Sequence, residues 1–270
     1  MPDLSRYDDV LSLLREHAGA TPAIRLAIVG GSAATGRYDD HSDLDVELWC
    51  DGPPDATYDV LHALLAEELE VDQVWEVLRE RWPDGTRQLF AHLQPDPGDL
   101  SRPTRILDLA VHPMPGTGVV AIDPRRHGTP IALHDPDGLL RLAHEHEGPH
   151  VTARASTLAE IAGRRGTAEW LVRRALARGE LVEAHAFYLR LAFTPLVELL
   201  RIEHCPARHD FGLRYLDTDL PPGYADRLEE LLPGPDLGDR ATRVFAWTDE
   251  LLARLTGGPS GEADPPSPRH

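Results

Sequence analysis

Cysteine is scarce in this chain: Cys50 and Cys205 are the two among 270 residues. They cannot build a disulfide framework or a metal knuckle, so both read as ordinary reduced thiols. Fourteen histidines are present, but none has zinc-type spacing with a cysteine, and His144 and His146 fall on different faces of a helix. Lysine is absent, so the 27 basic residues are arginines, a compositional bias that carries little mechanism. Positive charge is in deficit overall, 27 basic against 45 acidic residues, giving a formal net charge of −18. Proteins that grip a nucleic-acid backbone carry a basic face, because Lys and Arg contacts to phosphate dominate that affinity. The balance disfavours DNA or RNA and fits a small or cationic partner better. No apolar run is long enough to span a membrane, and the opening MPDLSRYDDV lacks the basic and apolar regions of a signal peptide. Cytoplasm is the expected location, with no membrane partner.

What is there describes a globular protein. Hydrophobic residues make up 41% and charged residues 27%, and 270 residues suffice for one large domain or two modest ones. The stretch that organises the chain is LAIVGGSAATGRYDDHSDLDVELW, from Leu26 to Trp49. It reads as a strand, a sharp turn at Gly30, Gly31 and Ser32, and a second strand carrying Asp43 and Asp45. Strand side chains alternate, so these two carboxylates share one face while Leu44, Val46 and Leu48 take the other. Like charges held together repel, and a shared divalent cation is the usual reason for such a pair. The turn offers glycines that allow close backbone approach, together with free N–H groups and the Ser32 hydroxyl.

Gly31-Ser32, ten residues, then Asp43-Leu44-Asp45 resembles the signature of the nucleotidyltransferase superfamily, whose fold is shared by DNA polymerase beta and the aminoglycoside and lincosamide nucleotidyltransferases. The resemblance implies that Gly31 and Ser32 hold a nucleoside triphosphate and that Asp43 and Asp45 hold magnesium. It also implies a third carboxylate on a neighbouring strand. Arg105 to Val111, RILDLAV, supplies one, with Asp108 central in an apolar run where an unpaired aspartate is costly. By resemblance, Asp108 completes the metal set and helps deprotonate an attacking hydroxyl.

The remaining segments fill in an α+β fold with a mixed, mostly antiparallel sheet and flanking helices. Residues 7–18 and ATYDVLHALLAEELE read as amphipathic helices, the second through Val60, Leu61, Leu64, Leu65 and Leu69. Strands are expected around Val74 to Leu78 and Thr86 to Leu93, separated by the turn Trp82-Pro83-Asp84-Gly85. VVAIDPRRHGTPIALHDPDGLL reads as a short strand, a loop and an Asp-Pro-Asp-Gly turn. Beyond Val151 strand signals stop. Helical spacing runs on to about Leu255, with Gly163 and Gly179 as stop signals and Pro195 dividing the third helix. The expected organisation is therefore a catalytic domain over 1–145, an all-helical domain over 151–256 and a disordered tail over 257–270.

The helical segment, including LVEAHAFYLRLAFTPLVELLRIEHCP, is similar to the helical domain of aminoglycoside-type nucleotidyltransferases, and there the resemblance implies substrate binding. Many relatives carry a lysine and an aromatic after the proline; this chain has Pro206-Ala207-Arg208-His209-Asp210-Phe211, which leaves Arg208 or His209 as the cationic contact to nucleotide. Glu183 and His185 are candidates for the catalytic base, Glu183 ahead. The implied activity is magnesium-dependent transfer of a nucleoside monophosphate, AMP from ATP, to a hydroxyl of a small molecule; antibiotic modification is one known use of this layout. Two rivals stand beside it: a protein-modifying enzyme of the antitoxin type, against which the helical domain counts, and an inactive nucleotide-binding module, against which three retained carboxylates count.

Overall fold

The computed structural model describes residues 2–94, 103, 105–143 and 149–257, in two compact units, Met1–Glu145 and His146–His270. The tail expected from residue 257 lies, from 258 on, outside the described residues, as do His144 and His146.

In the first unit, α1 (Asp8–Ala20) precedes β1 (Ile24–Val29), the short α2 (Gly31–Thr35), β2 (Leu44–Cys50), α3 (Pro54–Glu68), β3 (Val71–Glu76), β4 (Arg87–Leu93) and β5 (Ile106–Pro113). There follow β6 (Val120–Ile122), α4 (Pro124–His127), β7 (Ile131–His134) and β8 (Leu140–Leu142). Six strands form one sheet in the order β3-β4-β5-β2-β1-β7; β2 and β5 run parallel and the other neighbours antiparallel. β6 and β8 make a separate two-stranded parallel sheet.

One face of the six-stranded sheet is the core. Leu44, Val46 and Leu48 of β2, Leu107, Leu109 and Val111 of β5, and Leu89, Ala91 and Leu93 of β4 bury themselves against Val10, Leu11 and Leu14 of α1 and Tyr58, Leu61 and Leu65 of α3. Strict alternation sends the intervening residues to the opposite face. There Leu26, Ile28 and Trp49 are covered by Val120 with Ile122 and Leu140 of the small sheet, and the centre of the face stays polar.

Several expectations are corrected. The turn at Gly30 to Ser32 continues into one helical turn, and Asp43 lies just before β2 rather than within it. The β3 strand begins three residues earlier than its apolar signal suggests, at Val71. Val60 is 52% exposed, because Thr57 and Tyr58 take the buried positions on α3. The strand β7, read as loop from sequence, completes the sheet edge beside β1.

The second unit holds α5 (Pro149–Ala177), α6 (Leu181–Phe187), a π-helical segment Tyr188–Phe193, α7 (Thr194–His204), α8 (Leu216–Asp219), α9 (Tyr224–Glu229) and α10 (Leu237–Thr256), with no strand among its described residues. Gly163 does not stop a helix: α5 runs 29 residues through it. A glycine costs about 1 kcal/mol in a helix interior, less than the gain from burying Ile161, Ala168, Val172 and Ala175 on that helix. Gly179 does stop it, at φ 72°, with the Glu180 N–H returning to the Ala175 carbonyl as left-handed helix termination requires. Pro195 sits in the first turn of α7, and the π-helical segment ahead of it absorbs the broken hydrogen-bond register. Among the described residues no helix is long and apolar enough to cross a membrane.

Candidate functional site

The polar centre of the sheet is built by register. Asp45 of β2 lies opposite Asp108 of β5, so both carboxylates project from the same face of a parallel pair. Asp43 arrives from the preceding loop, which Arg6 fastens by donating to the backbone carbonyls of Asp39 (2.8 Å) and Ser42 (2.7 Å) while stacking on Tyr38. Carboxylate oxygens of Asp43, Asp45 and Asp108 all lie within 4.8 Å of one another, each half-buried.

The surroundings push protons onto this group. Burial, then the charges of Asp43, Asp108 and Glu47, raise the Asp45 carboxyl to about 7, against the pull of a hydrogen bond from the Ser32 backbone N–H. Burial also raises Asp108 to about 6, with Asp43 and Glu47 adding to it, although the Gln88 amide donates to Asp108 Oδ1 at 2.7 Å. The fold therefore holds three carboxylates where their ionised forms repel.

Gly31 explains how the turn reaches them. At φ 54°, a Cβ on this residue would stand 1.7 Å from Asp45 Oδ2, so no side chain fits between the turn and the carboxylate. The Ser32 hydroxyl beside it is buried and has no hydrogen-bond partner. Gly128, at φ 71°, gives α2 its backing: a Cβ there would meet the Ala34 carbonyl oxygen at 2.2 Å, and the Thr129 N–H donates to that carbonyl at 2.9 Å.

These residues fit a hard divalent cation. The donors are all carboxylate oxygens, their mutual distances allow one ion to be shared, and the raised proton affinities of Asp45 and Asp108 mark a site that favours added positive charge. Glu47, two residues beyond Asp45 on the same face, extends the acidic row. His112 reaches Glu47 Oε2 at 3.4 Å and Thr86 Oγ1 at 3.0 Å, and stacks on Trp49. Glu47, Gln88 and His112 were not singled out from sequence. Continuing the alternation past Asp45 and Asp108 would have found Glu47 and His112; Gln88 depends on the β4–β5 register.

Four expected site residues belong to the second unit, among other partners. Glu183 on α6 lies 3.8 Å from Arg174 and is hydrogen-bonded to Glu180, which raises its proton affinity. His185, also on α6, bonds the Leu181 carbonyl at 2.7 Å. Arg208 donates to Asp219 Oδ1, and Asp219 Oδ2 accepts from the fully buried Arg201 at 2.8 Å. His209 is buried close by.

No protein-family model matches this chain, and no curated protein matches it. Among solved structures, an aminoglycoside 6-adenyltransferase from Bacillus subtilis matches over 93% of this chain and 92% of its own, at 8% sequence identity and a TM-score of 0.33. A likeness that distant leaves the reading to the residues themselves.

Proposed function

We propose that the first unit is a nucleotidyltransferase that moves a nucleoside monophosphate, AMP from ATP, to a hydroxyl group of a small molecule. The reading is carried by one observation: Asp43, Asp45 and Asp108 converge on one point, with Gly31 pressed against Asp45 so that the turn and the carboxylates meet. In this reading the three aspartates would hold magnesium, whose charge would neutralise the triphosphate and stabilise the entering and leaving oxygens of an in-line displacement. The Ser32 hydroxyl, lacking a partner, would donate to an oxygen of the departing pyrophosphate. Gln88 fixes one oxygen of Asp108, which leaves Oδ2 to accept the proton of the attacking hydroxyl. The oxygen bonds to the α-phosphorus as the bond to the bridging β-phosphate oxygen breaks.

Glu183 is the second candidate for the base and Arg208 for a contact to nucleotide, with Asp219 competing for that guanidinium. Pyrophosphate release tests the proposal, measured with magnesium and each of the four nucleoside triphosphates across a panel of hydroxyl compounds including aminocyclitols. The expected result is release that requires both metal and acceptor, falls by at least about 100-fold in Asp108→Asn, and falls less in Glu183→Gln. Release of phosphate rather than pyrophosphate, or release unchanged in Asp108→Asn, would contradict it.

A further inference from the structure

The row that pairs Asp45 with Asp108 does not end at the carboxylates. Asp108 of β5 lies opposite Phe90 of β4, and Phe90 lies opposite Trp75 of β3. Residues directly opposite share a face, so Asp45, Asp108, Phe90 and Trp75 form one line across four strands. The two aromatic rings stack at 5.1 Å between centroids and 17° between planes, and Trp75 remains 60% exposed on the edge strand. With strands about 4.8 Å apart, Phe90 stands one strand and Trp75 two strands beyond Asp108.

We propose that Trp75 and Phe90 form the platform on which the acceptor rests, and that the acceptor is a hydroxyl-bearing compound with a flat ring, aromatic or the C–H face of a sugar. This rests on the transferase reading. Across the face the order is the Gly31–Ser32 turn, Asp45, Asp108, Phe90, Trp75, so the turn and the aromatics flank the carboxylates on opposite sides. An in-line displacement needs its leaving and entering oxygens on opposite sides of phosphorus. Pyrophosphate held at the turn therefore directs the entering hydroxyl to the aromatic side. Ring faces there reward a flat, C–H-rich partner, and Trp does so most strongly. The bland alternative is a cross-strand pair that only braces the β3–β4 hairpin.

The test follows the indole N–H resonance of Trp75 in the full chain by nitrogen–proton correlation spectroscopy, assigned among the five tryptophans with Trp75→Phe. The probes are benzyl alcohol, methyl α-glucopyranoside, open-chain sorbitol, and a nonhydrolysable ATP analogue with magnesium. A saturable shift with benzyl alcohol, with the glucoside, or with both supports the platform, and which of them acts tells aryl from sugar. Sorbitol leaves the resonance in place. Trp75→Ala weakens ring-probe binding about tenfold, Trp75→Phe retains most of it, and both keep wild-type affinity for the ATP analogue.

Four results would overturn the proposal: no saturable shift from either ring probe; a shift from the ATP analogue alone, which would make the platform a seat for the base; a shift that follows protein concentration, which would make it an interface between copies; or a lower melting temperature in Trp75→Ala with ring-probe affinity intact. Failure of the ATP analogue to bind wild-type protein would sink the transferase reading by itself and leave the ring titration interpretable.

Discussion

One cluster of charged side chains in each unit makes a contrast, and the two are built on opposite rules. In the second unit Asp219 is saturated by cations: Arg201 and Arg208 each take one of its oxygens, and Arg201 spends its remaining donors on the carbonyls of Gly212, Arg208 and Arg214 and on Cys205. In the first unit Asp43, Asp45 and Asp108 face one another, with Glu47 behind them, and burial raises Asp45 and Asp108 toward neutrality. A compensated cluster holds a fold together. Carboxyls that burial pushes toward neutrality, as at Asp45 and Asp108, cost stability when ionised.

If that distinction is right, removing an acid has opposite signs in the two places. The largest effect belongs to Asp219→Ala, which leaves Arg201 buried without its counter-charge; a loss of about 3–5 kcal/mol is expected, seen as a fall of about 10 °C in calorimetric melting. Gly31→Ala comes next. Its methyl group would collide with Asp45 Oδ2 in a left-handed backbone conformation, so stability should fall by roughly 1–3 kcal/mol and magnesium-dependent nucleotide binding should vanish. Asp45→Asn should do the reverse in metal-free protein: with one repelling charge gone, stability should rise by about 1 kcal/mol, while magnesium should no longer raise the melting temperature.

A comparison of another kind is the pH slope of the metal-free wild type. Asp45 and Asp108 have folded-state values of about 7 and about 6 against an unfolded 3.8. Between those limits the folded state binds more protons than the unfolded one, so stability is greatest below the unfolded value and is lost as pH rises through the folded ones. Melting in chelator should therefore drop from about pH 5 to about pH 7, and an Asp45→Asn, Asp108→Asn double variant should flatten that drop.

The sequence was legible where the chemistry is local. Gly31-Ser32, the two-residue spacing of Asp43 and Asp45, and the single acid in RILDLAV each lie within a few residues, and alternation alone assigns the faces of Asp45 and Asp108. What depends on pairing was hidden. Gln88 and the line from Asp108 to Trp75 exist only because β4 sits between β3 and β5 in one register. β7 is four residues long and borrows its strand character from β1. The Arg201–Asp219 pair joins residues 18 apart, through a loop whose path no periodicity specifies. Gly163 misled because helix propensity is a weak term beside the burial of one face of α5.

In the proposed function Asp43, Asp45 and Asp108 together hold a metal-bound triphosphate. Calorimetric titration of a nonhydrolysable ATP analogue, with and without magnesium, into wild type and Asp45→Asn tests it most directly. Binding to the wild type that requires magnesium and disappears in the variant is the predicted result. Binding indifferent to magnesium, binding undiminished in Asp45→Asn, or no binding of any nucleotide analogue would contradict it.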